Sequence, residues 1–247
     1  MLTRPNAFLM TAFLICLISS PFPQVKETKE GKMEKVTVQW FEHAFFLISD
    51  NTRVAIDPFK DLEGYPNPSV SAEVVLVTHG HFDHSKVEIV QGKPQIVKGN
   101  GKKSAKGIEF TGVKTYHDEQ KGSQRGENTI FTFELGGIKF AHCGDLGHIL
   151  SQDQLRELGK VEVLMIPVGG YYTIDATSAW QNVEKIKPKI VIPMHYKQPF
   201  MGPSFPIDKV DIFLQGKKNV NRLEKNILVL EKDKLPQETT IYVLNYK

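Results

Sequence analysis

Cysteine is almost absent from this chain, which has only Cys16 and Cys143 among its 247 residues. Cys16 lies in an N-terminal segment that we interpret as a targeting sequence, so the mature chain would keep Cys143 alone. A single cysteine forms no internal disulfide. The fold is therefore expected to be stabilised by its core rather than by disulfides.

The chain also has no large excess of positive or negative residues. Thirty-one Lys and Arg residues face 28 Asp and Glu residues, for a net charge of +3. The basic residues are scattered, and Lys102-Lys103 and Lys217-Lys218 are only short pairs. This distribution favours a solvated surface over a nucleic-acid groove. We therefore expect a small-molecule partner and no nucleic acid.

The apolar run near the N-terminus, residues 7–18, is short for a membrane span of roughly 20 residues. It follows Arg4 and precedes Ser19-Ser20, which is the layout of a signal peptide. We interpret residues 1–20 as a signal peptide or N-terminal anchor, residues 21–35 as a polar tether and residues 36–247 as one folded domain. The protein is expected to be exported, periplasmic or secreted, or membrane-anchored through residues 7–20.

Short β-rich runs open and close the folded region, and strand–helix alternation lies between them. Residues 74–77 and 190–193 are continuous apolar runs, as expected of strands buried on both faces. Ser151 and Asp175 have the character of helix N-caps, and Gly136-Gly137 predicts a hairpin turn. The order favours two packed sheets with helices on the outside.

The segment Thr78-His79-Gly80-His81-Phe82-Asp83-His84 follows the first buried strand directly. Three imidazoles and a carboxylate within six residues can converge on metal ions at about 2.0–2.1 Å from nitrogen to metal. Gly80 is expected to leave room for the backbone beside that pocket. The alternative is a surface loop that is rich in histidine by chance. Hydrophobic periodicity does not explain these histidines, and a metal site is the better interpretation.

This H-x-H-x-D-H pattern resembles the signature of the metallo-β-lactamase superfamily. Residues 40–45 (WFEHAF) and 56–58 (IDP) match loosely a branch of it that contains ascorbate-6-phosphate lactonase-like proteins. Further segments occur in the order expected of that branch: 116–118 (YHD), 142–147 (HCGDLG), 166–170 (IPVGG) and 192–196 (IPMHY). The resemblance spans residues 36–200 and implies an α+β fold, the four-layer αβ/βα sandwich. Cys143 departs from the pattern, and alternation places it opposite His142, so we do not expect it to bind metal.

The resemblance also implies a ligand set for two divalent metal ions, with Zn²⁺ expected and Mn²⁺ or Fe as alternatives. Asp83 is expected to be a catalytic proton shuttle as well as a ligand. The first metal would be held by His79, His81 and His117, the second by Asp83, His84 and His195, and Asp145 would bridge them.

Other roles stay open at this point. His117 and His195 are alternatively structural histidines, and Asp145 a turn residue. His142 and His148 are rivals for a ligand role, with a place outside the ligand shell favoured for both. His43 either lines the pocket or is an ordinary strand histidine. Asp57 either orients a ligand imidazole or ends a strand, and Tyr172 and Tyr196 either donate a hydrogen bond to substrate or pack.

The expected function is metal-dependent hydrolysis by a metal-bridging hydroxide. The pattern of a serine-hydrolase elbow, G-x-S-x-G, does not occur in the sequence. An ester, a lactone and a phosphodiester are equally compatible with such a centre. Two other classes are alternatives: a metal-dependent oxidoreductase on the same fold, and a non-catalytic exported metal-binding protein.

Overall fold

The computed structural model describes residue 1 and residues 35–246. Apart from residue 1 and residue 35, the predicted signal peptide and the predicted tether lie outside these residues. The chain divides into two units, Met1–Lys32 and Met33–Lys247, and the fold described here is that of the second. Among the described residues, none of the helices has the length and hydropathy needed to cross a membrane.

Sixteen strands and three α-helices make up the described region. The strands are β1 Lys35–Trp40, β2 Phe46–Ser49, β3 Arg53–Ile56, β4 Val70–Ser71, β5 Val74–Val77, β6 Val90–Gln91, β7 Gln95–Lys98, β8 Gly101–Ala105, β9 Ile108–Tyr116, β10 Glu127–Leu135, β11 Ile138–His142, β12 Val163–Pro167, β13 Ile190–Met194, β14 Val220–Arg222, β15 Ile227–Glu231 and β16 Thr240–Val243. The helices are α1 Gln152–Leu158, α2 Ala176–Ile186 and α3 Val210–Leu214. Short 3₁₀ turns occur at Val87–Ile89 and Lys232–Lys234.

Two mixed sheets contain most of these strands. One has six strands in the order β15-β1-β2-β3-β5-β7, and the other has eight in the order β14-β16-β13-β12-β11-β10-β9-β8. In each sheet an antiparallel part joins a parallel part, at β3–β5 in the first and at β11–β12 in the second. Parallel strands need covered faces, which explains the unbroken apolar sequences of β5, β12 and β13.

The main core lies between the two sheets. Alternate residues of β1, β2 and β3 enter a single hydrophobic cluster with residues of β9 to β13. Large fully buried side chains, including Trp40, Phe46, Phe110, Phe131 and Phe140, fill it. Each such aromatic side chain removes about 150–250 Å² from water, which makes this layer the principal source of stability.

The opposite face of the six-stranded sheet carries a second cluster. Ala55, Val75 and Val77, which alternate with core residues on their strands, pack there with Phe59 and Val70. The segment between β3 and β5 covers this face, whereas the three α-helices follow strands of the other sheet or precede them. The expected sandwich of two sheets is confirmed, and loops with a 3₁₀ turn form the outer layer on this side.

Local sequence signals account for the helices. Ser151 accepts a hydrogen bond from the backbone of Gln154 in a capping box, and Asp175 caps α2 by accepting from Ser178 N at 2.7 Å. α2 ends at Ile186, where Lys187 adopts a left-handed conformation just before Pro188. Ser151 and Asp175 are thus the N-caps that the sequence predicts.

The sequence favours two short strands at residues 108–110 and 113–116. The structure has instead a single strand, β9, which runs through Gly112. A Cβ atom at Gly112 would lie 2.3 Å from the carbonyl oxygen of Gly99, so glycine there permits a close backbone crossing rather than a turn. The neighbouring strands β7 and β8 are largely exposed and polar, which is why sequence periodicity does not reveal them.

Candidate metal centre

The predicted site residues meet at one end of the sandwich, where strands of both sheets finish. His79 follows β5, His117 follows β9, Asp145 follows β11 and His195 follows β13. The carboxyl ends of parallel strands lie together at one edge of a sheet, which is a common position for binding sites. The fold therefore places these side chains together although they are up to 116 residues apart in the sequence.

Six imidazoles form two groups of three. The first triad is His79, His81 and His117, and the second triad is His43, His84 and His195. Within each triad the ligand atoms all lie within 4.8 Å of one another. The structure thus brings together all five histidines expected to bind metal and adds His43.

Asp145 lies between the triads. Its Oδ2 atom is 3.0 Å from His117 Nε2, 3.2 Å from His84 Nε2, 3.5 Å from His195 Nε2 and 3.9 Å from His79 Nε2. The carboxylate is therefore close to members of both triads, which is the position expected of a bridging ligand. Its other oxygen, Oδ1, is buried and has no hydrogen-bond partner in the described part of the chain.

Asn128, on β10, fixes the loop that carries Asp145. Its side-chain oxygen accepts from Asp145 N at 3.0 Å, and its amide donates to Cys143 O at 2.9 Å. Gly144 has φ +53°, and a Cβ atom there would lie 2.4 Å from Asn128 Oδ1. Only glycine fits that position. The sequence pattern does not single out Asn128, because an Asn at such a position is typical of a turn.

Asp57 and Thr78 orient two of the imidazoles. Asp57 Oδ2 accepts from Thr78 Oγ1 at 2.6 Å and lies 2.9 Å from His84 Nδ1, while Thr78 Oγ1 is 3.0 Å from His79 Nδ1. These contacts occupy the Nδ1 atom of each ring and leave each Nε2 atom facing Asp145. Such partners fix the tautomer and direction of metal-binding histidines. Of the two open roles of Asp57, the geometry supports orientation, and the residue also ends β3.

His43 was expected to be either a pocket residue or a strand histidine, and it is not in a strand. It occupies the turn between β1 and β2, with φ values of 74° at Glu42 and 52° at His43. A left-handed conformation is uncommon for such residues and is often found at functional sites. His43 O accepts from His195 N at 3.2 Å, so this turn also contacts the other sheet.

Asp83 lies at the edge of the second triad rather than within it. Its Oδ2 atom is 3.2 Å from His43 Nε2 and 3.9 Å from His84 Nε2. Asp83 therefore contacts His43 more closely than it contacts His84.

Burial and the central carboxylate set the charges of the imidazoles. Burial lowers the pKa of His79 to about 3 and that of His43 to about 4, so both rings are neutral at pH 7. Burial also disfavours the charged form of His84, but the Asp145 and Asp57 carboxylates outweigh it and raise the pKa well above its ordinary value. Burial acts against ionisation of Asp145, yet His195 and His84 hold its pKa well below the usual range.

The donor set fits divalent metal ions. On one tetrahedral zinc ion two ring nitrogens lie about 3.3 Å apart. The corresponding distances are 3.1 Å for His79 Nε2 to His81 Nδ1 and 3.1 Å for His43 Nε2 to His84 Nε2. A cation would also satisfy Asp145 Oδ1, whose burial without a partner is otherwise unfavourable. Imidazole and carboxylate ligands suit zinc and similar borderline ions.

The rival residues lie outside the two triads. Both ring nitrogens of His142 face the backbone, at Ala44 O and Gly144 N, and those of His148 face Ile149 O and Tyr116 N. Burial raises the pKa of the Cys143 thiol. Cys143 is absent from the clusters of potential metal ligands found among the described residues.

Gly80 does not have the expected role. It is exposed, and a Cβ atom there would meet nothing within 4 Å. The backbone therefore needs no extra room at this position. The close approaches that the site does require occur at Gly144 and at Gly147, where a Cβ atom would lie 2.2 Å from the carbonyl carbon of His117.

A cavity of about 850 Å³ opens above Asp145 and both triads. Its lining includes His81, Asp83, Arg125, Tyr172 and several aromatic side chains. Tyr172 thus faces the cavity, as one of its two open roles requires. Tyr196 does not line this cavity; it is buried, and its ring packs against Trp40 with a centroid distance of 5.6 Å.

The sequence of this chain is similar to those of known proteins. Residues 37–195 match the family described as the Beta-lactamase superfamily domain. A protein of Archaeoglobus fulgidus named UPF0173 metal-dependent hydrolase is 31% identical over 208 residues, which are 70% of this chain and 86% of that protein. The chain belongs to the metallo-β-lactamase superfamily. A second protein with the same family name, from Thermoplasma acidophilum, is 30% identical over 66% of this chain and 84% of its own length.

A solved structure agrees with this membership of the metallo-β-lactamase superfamily. It is of a candidate zinc-dependent hydrolase of the superfamily from Thermotoga maritima, is 34% identical and has a TM-score of 0.73. The match covers 86% of this chain and 100% of that one. The expected fold is thereby confirmed, and the expected class agrees with the metal-dependent hydrolases among which the chain falls. The lactonase-like branch is not established by these matches.

Proposed function

We propose that this protein is a hydrolase that uses two divalent metal ions, with zinc as the first choice. The observation that carries the proposal is the Asp145 carboxylate between two histidine triads. The first triad would hold one ion, His84 and His195 with Asp83 or His43 the other, and Asp145 would bridge them. When bound, such ions lower the pKa of water from 15.7 to about 7 and polarise the bond under attack.

The chain's own residues have distinct tasks. Asp57 and Thr78 keep the Nε2 atoms of His84 and His79 directed at the centre. Asp83 lines the cavity and contacts His43, so we propose that it is the proton shuttle. Its Oδ2 atom would receive a proton from the attacking water and return it to the leaving group. The cavity walls bind the substrate and exclude bulk water.

The cavity lining favours a carboxylic ester or a lactone over a phosphodiester. Recognition of a phosphodiester usually relies on several Arg or Lys side chains, and Arg125 is the one such residue among the described residues that line the cavity. Lys197, the basic residue beside β13, donates instead to the carbonyl oxygens of Pro203 and Phe205. A lactonase activity, as in the branch that the sequence resembles, is consistent with this lining.

A substrate panel tests the proposal. Purified protein would be stripped of metal, reconstituted with Zn²⁺, Mn²⁺ or Fe²⁺, and assayed on aryl esters, γ- and δ-lactones and bis(p-nitrophenyl) phosphate. We expect metal-dependent cleavage of esters or lactones and much slower cleavage of the phosphodiester. Equal rates with and without metal would contradict the proposal. Bound metal without turnover on any substrate would favour a metal-binding protein.

Export stays a separate proposal that rests on residues 1–20 of the sequence alone. N-terminal sequencing and fractionation of protein from its native host test it. A mature protein that begins after residue 20, or a membrane-bound one that keeps this segment, would support export. A soluble cytoplasmic protein that still begins at Met1 would contradict it.

A further inference from the structure

One side of the cavity carries an arginine whose guanidinium is free to bind a ligand. Arg125 is the only Lys or Arg among the described residues that line the cavity. Within residues 35–246 its guanidinium forms no salt bridge, and its Cζ atom lies 5.8 Å from the centroid of the Tyr172 ring. An unpaired guanidinium that faces a cavity is suited to bind a carboxylate or phosphate in a bidentate manner.

The backbone of Arg125 is held firmly in place. The Asp118 carboxylate accepts four backbone N–H groups of the loop formed by residues 118–126, including that of Arg125 at 2.8 Å. His117 N donates to Gly126 O at 3.0 Å, which fixes the end of this loop beside the first triad. Arg125 is therefore presented from a rigid loop on the first-triad side of the cavity.

The cavity wall that adjoins the second triad carries aromatic side chains. The Tyr65 ring lies 6.0 Å from that of His43 and 4.8 Å from that of Phe200, measured between centroids. Phe200 packs closely over Gly64, where a Cβ atom would be 2.7 Å from its ring. Asp61 and Glu63, on the same segment as Tyr65, also line this side and disfavour an acidic group there.

Exposed aromatic side chains are concentrated at this cavity. In the described part of the chain they are Phe82, Tyr171, Tyr172, Phe200 and Phe205. Four of them line the cavity, and Tyr171 packs on Tyr172 with a centroid distance of 4.7 Å. Exposed apolar surface gathered in one place marks a binding region for an apolar group.

We propose that the substrate is an amphipathic acid ester whose acidic group binds Arg125 and whose apolar group packs against Tyr65 and Phe200. This inference rests on the proposed hydrolase function. Because Asp145 lies between the triads, the two groups would stand on opposite sides of the cleaved bond. Hydrolysis breaks the ester C–O bond, the oxygen of water joins the acyl carbon, and a proton goes to the departing alkoxide.

A pair of ether ligands tests the binding without any turnover. 2-(2-Phenylethoxy)acetate carries the acid, and 2-(2-phenylethoxy)acetamide is its neutral counterpart; neither contains an ester. By isothermal titration calorimetry on the metal-loaded protein, the acid should bind at least about tenfold more tightly than the amide. Arg125→Gln should reduce this ratio to about twofold or less. Arg125→Lys, which keeps the charge, should keep part of it.

Lys121→Gln is the matched control, since it removes one charge from an exposed position of the same loop and should preserve the ratio. A ratio unchanged in Arg125→Gln would overturn the proposal, because the metals and not Arg125 would then bind the acid. Phe200→Ala should weaken both ligands by a similar factor and leave their ratio intact. A loss of affinity for the acid alone in this variant would contradict the assignment of the aromatic wall.

Kinetics on matched esters show whether the acidic group is a carboxylate or a phosphate. They also distinguish a failure of this inference from a failure of the proposed hydrolase function. The phenylacetyl esters of glycolate, glycolamide and 2-hydroxyethyl phosphate share one acyl group and differ in the charge of the alcohol. We expect Arg125→Gln to raise KM for the acidic ester that wild type prefers by at least about tenfold, with the glycolamide ester changed by less than about threefold. A wild-type preference for the neutral ester would overturn the proposal. Cleavage of none of the three would count against the hydrolase function, and the ether pair would still test the Arg125 site.

Discussion

Asp145 is the residue on which the two triads converge, since its Oδ2 atom lies within 4 Å of four imidazole nitrogens. If it bridges two ions, its loss affects both. We expect Asp145→Ala to reduce metal content from about two per chain towards zero and activity by at least about 100-fold. Metal analysis and ester hydrolysis measure this. His148→Ala is the control, because both of its ring nitrogens face the backbone; full occupancy and activity in the Asp145 variant would reject the bridge.

The second triad makes His43 a further candidate metal ligand. It contacts both His84 and Asp83, so we expect His43→Ala to weaken one of two metal sites by about 10–100-fold and to leave the other unchanged. Competition with a chromophoric chelator would separate the two affinities. If both affinities equal those of the wild type, His43 has no part in metal binding.

Asp83 belongs to a motif that can be recognised in the sequence, whereas His43 does not. The motif at residues 79–84 indicates candidate ligands because four such side chains in six positions have no structural explanation. His43 stands alone between two strands, and its place in the site depends on left-handed backbone at Glu42 and His43 and on contact with His195 across the sheets. Such a contact has no local signature in the sequence.

The ends of the strands position the site. Of two glycines there, Gly147 has no room for a side chain, whereas Gly80 has. A Cβ atom at Gly147 would lie 2.2 Å from the backbone of His117, whereas one at Gly80 would meet nothing. We expect Gly147→Ala to destabilise the protein by about 1–3 kcal/mol and to weaken metal binding, because it pushes the His117 strand away from Asp145. Chemical denaturation and metal titration measure both effects.

Gly80→Ala is the matched comparison, and we expect wild-type stability and metal content. From the sequence motif this substitution is expected to be harmful, whereas the structure has room for the added Cβ atom. Equal stability of the two variants would mean that close packing at Gly147 does not set the distance between these strand ends.

Strand prediction succeeded where burial leaves a pattern. β5, β12 and β13 are apolar throughout because both of their faces are covered, and the sequence shows this directly. β7 pairs with β5 and β8 pairs with β9 by backbone hydrogen bonds, while most side chains of β7 and β8 face solvent. The order of strands in each sheet depends on such pairing between distant segments, and residue patterns do not encode it.

Across the whole fold, Glu162 links several strands away from the site. Its carboxylate is buried, accepts from Lys139 N at 3.1 Å and contacts Lys232, and its backbone oxygen accepts from Ile190 N at 2.9 Å. Burial raises its pKa, but Lys232 and the Lys139 N–H outweigh this and hold the pKa below the ordinary value of 4.5. The ionised side chain therefore stabilises the folded state above about pH 4.5.

We expect Glu162→Gln to lower the free energy of unfolding by about 1.5 kcal/mol at pH 7. The difference from wild type should shrink below about pH 4.5, because wild type loses this contribution as Glu162 becomes protonated. Urea unfolding at several pH values measures it. Glu127→Gln, which removes an exposed partner of Lys114, should have a much smaller effect. A Glu162 effect that is constant down to pH 3 would show that its charge is not involved.

The paired metal site is tested most directly by the metal stoichiometry of the full chain. Protein reconstituted with Zn²⁺, passed through a desalting column and analysed by inductively coupled plasma mass spectrometry should contain close to two zinc ions per chain, and hydrolysis of esters or lactones should require them. A value near zero, or full hydrolytic activity in metal-free protein, would contradict the account.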